Sequence, residues 1–298
     1  PTSLFRNQHK NRQAAGQVSK VFSLQEGIRL NSRIASDIED IDSNALGDFS
    51  RSRVAVTLLP EMDLGDSMLL TAGVRAEVLE SFQDQWLPQV RLDVFASEEV
   101  SLFGEYSTSA RRPSYTELNY ESPGSLGNSG LDIQNQDAVE GGATWAVSPN
   151  TGLKAIVFAT RTQDTVDWIR PDADATRWQA ENIGDVETLG TELTATHRMD
   201  SSLQFLASWM WTDKEADTPP YASRYSLDYA ENLLRFQLDW TPTNWMRLEL
   251  SQLYRDQVEN VLRDEGGDQQ FLTNAALHLR HPDLSRVQLS FMVWNATD

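Results

Sequence analysis

The 298 residues carry 25 basic and 44 acidic side chains, a formal charge of −19, and no cysteine. That balance excludes nucleic acid as a partner, because a phosphate backbone calls for a basic surface. The lack of cysteine leaves the redox compartment open and fits a protein exported without disulfides.

The chain starts with Pro1 and is polar through residues 1–12. No signal peptide is present, so either it was removed or this is a fragment. No apolar run approaches the roughly 18 residues of a membrane helix. A polar composition does not argue against a membrane barrel, whose strands alternate apolar-out and polar-in and so conceal their hydrophobicity.

Period two dominates from there on. Met68, Leu70, Ala72, Val74, Ala76 and Val78 alternate with a set that includes Ser67, Thr71, Arg75 and Glu77. Leu203, Phe205, Ala207 and Trp209 alternate with Gln204 and Ser208, and Leu234, Phe236, Leu238 and Trp240 with Arg235, Gln237 and Asp239. Successive side chains on a strand point to opposite faces, so each segment has one apolar and one polar face. No helical stripe of comparable length occurs. The pattern predicts strands over 17–30, 50–58, 67–79, 88–95, 99–107, 137–146, 152–162, 184–197, 201–213, 231–240, 245–256, 270–280 and 285–294.

The connections alternate short and long. Residues 96–99, 147–151, 198–201, 241–244 and 281–284 are short; 107–136, 163–183, 213–230 and 258–269 are long, and 59–66 and 80–87 keep the parity. In an up-and-down meander every second loop lies on the same rim, as in outer-membrane barrels with short turns on one side and long loops on the other. A Greek-key sandwich gives no reason for such parity. Trp86, Tyr106, Trp145, Trp211, Trp240, Trp245, Tyr254 and Trp294 fall near strand ends, as two interfacial girdles would require.

The stretch from Gly104 to Trp145 is the most informative. An alternating segment ending at Tyr106 runs into Arg111-Arg112-Pro113-Ser114-Tyr115-Thr116-Glu117-Leu118, then a Gly/Asn/Ser-rich passage, then Val139 to Trp145. Pro113 has no amide donor, so pairing should end there. The order of Arg111, Pro113, Ser114, Glu117, Leu118, Gly127, Asn128, Leu131, Glu140 and Gly142 resembles the later barrel region of TonB-dependent outer-membrane receptors. Ile133 and Gln134 depart from the Pro-Glu usual there. Trp178 to Asn182, followed by Gly190-Thr191-Glu192, resembles the family's aromatic-x-x-x-Asn and Gly-x-Glu segments. Val293 to Asp298 resembles the close of its penultimate strand.

The resemblance implies an all-β fold: part of an antiparallel up-and-down transmembrane β-barrel, about 13 strands of a 22-stranded barrel, with residues 1–298 forming one partial barrel domain and the N-terminal plug and last strand absent. It implies a receptor in the bacterial outer membrane that imports a scarce solute of the iron-siderophore or cobalamin class. Its partners would be outer-membrane lipid and a TonB-type energy-transducing complex that acts through the plug. A passive porin-like channel and a soluble β-rich binding domain are the alternatives.

Enzyme chemistry has no signature here: no Gly-x-Ser-x-Gly elbow, phosphate-binding loop or His-Glu-x-x-His occurs, and no cofactor is implied. His278 and His281 are three apart and would face opposite sides of a strand, a poor ligand pair. Carboxylates cluster in the long loops at Asp172/Asp174, Asp213/Glu215/Asp217 and Asp264/Glu265/Asp268, either solvated or holding calcium. The candidate ligand-binding residues are the flat rings and guanidinium of the same loops: Tyr115, Tyr120, Trp168, Arg170, Trp178, Tyr221 and Tyr225.

Overall fold

The computed structural model describes residues 7–263, 267–280 and 287–297. His281, Asp264 and Glu265, the 281–284 turn and the start of the strand expected at 285 lie outside them. In chain order the first strands are β1 (His9–Gln25), β2 (Ile28–Ser43), β3 (Gly47–Asp63), β4 (Met68–Leu79), β5 (Gln85–Phe95) and β6 (Val100–Arg111). A short helix, α1 (Tyr115–Asn119), and two-residue strands β7 (Glu121–Ser122) and β8 (Ser125–Leu126) follow. Next come β9 (Gln134–Ser148), β10 (Thr151–Gln163), β11 (Val166–Arg170), β12 (Trp178–Asn182), β13 (Val186–Arg198) and β14 (Leu203–Ala216). The chain continues through β15 (Ala222–Ser223), β16 (Ala230–Thr243), β17 (Met246–Gln257), β18 (Gln269–Arg280) and β19 (Gln288–Val293).

Fourteen of these strands form one antiparallel sheet among the described residues, each paired with its neighbour in the meander. The expected single strand at 17–30 is in fact the hairpin of β1 and β2, which turns at Glu26-Gly27 where Gly27 takes φ +72. All of β2 beyond residue 30 was missed as strand. It is rich in Ser and Asp, but its charges have a place. Asp37 and Glu77 are both buried, and Arg53 binds the first at 2.6 Å and the second at 3.5 Å. Arg51 meets Glu39 at 2.8 Å, and Arg91 meets both Asp93 and Glu105 at 2.8 Å. A charge inside a protein wall persists when it is paired and hydrogen-bonded. These pairs line one face of β2–β6. The opposite face carries exposed Val54, Val56, Leu58, Leu92 and Leu102, and continues across β9–β16 through Val139, Val157, Leu193 and Phe236.

Two glycines named above have a steric reason on the polar face. Phe103 lies opposite Gly142, and Phe158 lies opposite Gly190. A Cβ at Gly142 would stand 2.6 Å from the Phe103 ring, and the three atoms nearest a Cβ at Gly190 would all belong to the Phe158 ring, in hard overlap. A ring laid flat over a cross-strand glycine fills the space that glycine leaves. Gly190→Ala is therefore expected to destabilise the sheet by roughly 1–3 kcal/mol through overpacking. Phe158→Ala added to it should restore part of that loss, read by heat-modifiable gel migration and urea titration. A double variant no more stable than Gly190→Ala alone would refute the account.

Candidate functional site

The long loops are not free excursions. β6 ends at Arg111, before Pro113. Ser114 then caps α1: its Oγ accepts the Glu117 amide at 3.2 Å, while the Glu117 carboxylate accepts the Ser114 amide at 2.6 Å. This reciprocal capping box satisfies two of the helix's orphan donors. It turns Tyr115 into the wall, where its O–H donates to the Glu39 carbonyl at 3.0 Å. The Tyr115 ring stacks on Phe49 and lies under the Arg51 guanidinium, 4.4 Å from its centroid. Burial pushes the Tyr115 phenol above its usual pKa. Gly127 passes so close to the backbone of Tyr120 and Glu117 that a Cβ would sit 2.8–2.9 Å from their N and O atoms. Asn128 then donates its amide to the Glu117 carbonyl at 2.8 Å.

Three long loops are joined in a second, five-stranded sheet of order β15-β11-β12-β8-β7. β11 and β12 form a hairpin within the 164–185 loop; β8 pairs with β12 in parallel, and β15 pairs with β11. Val166, Trp168, Ala180 and Leu131 form the core on one side, with Leu118, Tyr120 and Trp178 packed against it. Asn182 fastens two loops: its Oδ1 accepts the Asp132 amide at 2.9 Å and its Nδ2 donates to the Asp164 carbonyl at 2.7 Å. The sheet is tied to the barrel strands by Gln134 Oε1, which accepts the Val166 amide at 3.1 Å, and by Arg111, which donates to the Val166 carbonyl at 3.2 Å.

The other side of this small sheet is organised by Asp167, which is 1% exposed. Its Oδ2 accepts the Ser223 hydroxyl and the Ser226 amide, the latter at 3.0 Å; its Oδ1 accepts the Trp168 amide at 2.7 Å. Lys214, at the loop end of β14, donates to the Ser226 carbonyl at 2.9 Å. Burial pulls the Lys214 ammonium below its usual pKa, and the Asp167 charge opposes that pull.

What reaches solvent is a cationic and aromatic patch. The guanidinium carbons of Arg170 and Arg224 lie 5.1 and 5.5 Å from the Trp178 ring centroid, and Arg224 lies 5.6 Å from that of Tyr225. Tyr225 is 62% exposed, and Tyr221 is exposed beside β15. Cations over indole gain from its quadrupole and keep their outer donors available. Beside the loop sheet opens a cleft of about 920 Å³, lined by Phe49, Phe82, Tyr115, Leu131, Asp132 and Asp164 among others.

Of the seven predicted residues, Arg170, Trp178 and Tyr225 come together through Arg224, while Tyr221 is exposed and joins no contact of that patch. Trp168 and Tyr115 are buried as packing residues, and Tyr120 is wedged between their two clusters. Arg224 and Asp167 were missed. Nothing local marks either one, because both act through pairing between loops far apart in sequence. Among the described residues no group of three His, Asp or Glu is placed to hold a metal.

The sequence matches the family model described as TonB dependent receptor-like, beta-barrel, over residues 3–297. The chain belongs to that family. Barrels of this family are outer-membrane structures, in which an apolar outer face meets lipid and a polar inner face lines the lumen. Among solved structures, the siderophore receptor PirA from Pseudomonas aeruginosa superposes with a TM-score of 0.75 at 13% identity, covering 98% of this chain and 52% of that one. A mutant of the ferric enterobactin receptor PfeA from the same organism, in complex with enterobactin, gives 0.69 at 18%, covering 98% and 49%. The copper transporter OprC gives 0.75 at 14%, covering 98% and 51%. The chain thus spans about half the length of these structures. No curated protein matches by sequence.

Proposed function

We propose that this chain is part of the barrel of a receptor that imports a scarce anionic chelate of the iron-siderophore class, captured at the long-loop rim. The observation that carries this reading is the patch of Arg170, Arg224, Trp178 and Tyr225, two guanidinium groups and two rings on a surface whose chain is otherwise strongly acidic. A ferric catecholate is bulky and negatively charged and presents flat aromatic rings, which suits such a surface better than cobalamin does. Energy coupling to a TonB-type complex would pass through an N-terminal plug. The copper carried by OprC is a property of that protein.

Arg170→Ala and Arg224→Ala are each expected to weaken whole-cell binding of a ferric catecholate siderophore by about fivefold or more, the effect of losing an anchor worth upwards of about 1 kcal/mol. Both should leave heat-modifiable migration unchanged. Cobalamin should show no saturable binding. A siderophore bound equally well by both variants would move capture to the 920 Å³ cleft. Steady conductance of the complete protein in a planar bilayer, without its energy source, would favour the porin alternative.

The same reading places the long loops outside the cell. Cysteines introduced at Thr218 and Ser129, both exposed in long loops, should react with an impermeant thiol reagent on intact cells. A cysteine at Asn150, in the β9–β10 turn, should react only after the outer membrane is opened. Labelling of Asn150 on intact cells would reverse the topology.

A further inference from the structure

The polar face of the large sheet carries its charge in two different ways. On β2–β6 the arginines are met by acids: Arg51 by Glu39, Arg53 by Asp37 and Glu77, Arg75 by Glu77, and Arg91 by Asp93 and Glu105. On β10–β16 the pattern is different. Lys154 pairs in register with Thr194, Thr194 with Ser208, and Ser208 with Arg235, so an ammonium and a guanidinium end one cross-strand row. The neighbouring row, Leu153, Ala195, Ala207 and Phe236, holds the alternate positions and is wholly apolar. That fixes the Lys154–Arg235 row on the polar face. Three strand spacings separate its ends, about 14 Å between backbones. Arg198, four residues along β13 from Thr194 toward the short turns, faces the same way. Lys154, Arg235 and Arg198 are exposed, and among the described residues their side chains have no ion-pair or hydrogen-bond partner. Glu192, two residues from Thr194 on the same face of β13, forms no ion pair with them. Asp239 and Glu249, nearer the short turns, are both held by Arg247.

We propose that the row from Lys154 to Arg235, with Arg198 beyond it, is a transit site for the imported anion inside the lumen, separate from the rim patch. The proposal rests on the reading of the solute as an anionic chelate. A chain of net charge −19 leaves three cations unmatched on one wall. The field of an exposed charge reaches about 8–10 Å at physiological salt, so those of Lys154 and Arg235 overlap above Thr194 and Ser208. An anion seated there meets a cation on either side and two hydroxyls beneath it. A polar passage lined by one sign of charge concentrates the opposite ion. Single exposed cations on flexible stems attract an anion and also let it go, as passage requires. The β2–β6 wall has already spent its arginines on its own acids and offers no such attraction. The solute therefore descends along β10–β16.

Two measurements on the complete receptor, assembled in its outer membrane, test the site. The first reads the field without the solute. Ser208→Cys is treated with two thiosulfonates of matched size, one bearing a sulfonate and one a trimethylammonium group, each rate taken relative to a small free thiol. The anionic reagent is expected to be favoured about tenfold. Adding Lys154→Gln and Arg235→Gln should abolish that preference, and Gln89→Cys, among the paired charges of the other wall, should show none. The second follows ferric enterobactin in whole cells. Lys154→Gln with Arg235→Gln should leave surface binding without energy unchanged and slow energised uptake about tenfold. Lys154→Arg with Arg235→Lys, which keeps both charges, should restore the rate. Heat-modifiable migration reports assembly of each variant. A double variant that binds and imports the chelate as the parent does would overturn the transit site. Equal rates of the two reagents at Ser208→Cys would overturn it as well. Protection of that cysteine from both reagents would also do so, because a segment of protein would then cover the row. A parent that binds no ferric enterobactin counts against the siderophore reading alone, and the reagent preference then decides for or against an anion site.

Discussion

Replacing Asp167 with alanine is expected to unfasten the loop sheet at a cost of about 3 kcal/mol. The side chain is almost fully buried, and it accepts from Ser223, Ser226 and Trp168, two of them in a loop more than 50 residues away. Alanine removes the acceptor and leaves the Ser223 hydroxyl and three amides, of Trp168, Tyr225 and Ser226, to be satisfied in a site closed to water. Each unsatisfied buried donor costs roughly 1–3 kcal/mol, and breaking a buried charged node reaches about 3–5 kcal/mol. The barrel strands do not depend on this residue, so the damage should stay local. Limited proteolysis of intact cells should cut the 217–229 loop in Asp167→Ala and spare it in the parent, while heat-modifiable migration of the barrel stays the same. Asp167→Asn keeps one acceptor oxygen and should fall between the two. Cleavage at the same rate in Asp167→Ala and the parent would mean that Asp167 does not hold the loops together. The test also bears on capture: Arg224 follows Ser223 directly, so loosening this node should displace the guanidinium over Trp178 and weaken siderophore binding indirectly.

The meander was legible because a membrane barrel imposes two regularities on a sequence. Apolar residues must recur at every second position along each strand, and long and short connections must alternate between rims. Both hold for β3 to β6 and for β9 to β18. The failure at β1 and β2 has a physical cause: the β1–β2 turn is only Glu26-Gly27, and the phase of the alternation carries through it from Phe22 and Leu24 to Ile28 and Leu30. The missed signal was Gly27, one of three glycines, with Gly47 and Gly65, that enter left-handed backbone at the turns around β2 and β3. The acid-rich run Asp37 to Asp42 looks like loop, yet it is strand, because a lumen-facing position accepts charge once an arginine on the next strand meets it.

The loop sheet was legible only in fragments. The order of Ser114, Glu117, Gly127, Asn128 and Asn182 carried the family resemblance without its reason, and the structure supplies it: a helix cap, a close backbone approach and a clamp between loops. The Ser-x-x-Glu spacing could have been read as a capping box from sequence. The pairing of Trp178 with Ser125, and of Arg170 with Ala222, could not. Each joins short segments that have no periodicity of their own, and their register is set by the barrel strands that carry them. The meeting of Arg170 and Trp178 with Arg224 and Tyr225 was therefore not visible in the sequence.

The wall offers the other large effect. Ala207 and Ser208 are neighbours on β14 with opposite orientations: Ala207 pairs with Ala195 and Phe236 on the apolar face, while Ser208 pairs with Thr194 and Arg235 on the polar one. Arginine at Ala207 would enter hydrocarbon within the crossing strand, where its paired neighbours on that face, Ala195 and Phe236, offer no carboxylate to meet it. The expected cost is roughly 2–4 kcal/mol at such a depth, falling toward zero at the interfaces. Arginine at Ser208 would enter the lumen beside Arg235. Water screens two like charges there, and a long side chain can swing clear, so the cost should stay under about 1 kcal/mol. Urea-dependent folding of the complete receptor into vesicles measures both, with heat-modifiable migration as a second readout. The difference between the two variants is the informative quantity, because any general sensitivity of β14 to bulk cancels in it. Equal costs would mean that β14 does not divide lipid from lumen at this point, and the assignment of faces would fail along the whole register that Ala207 shares with Ala195 and Phe236.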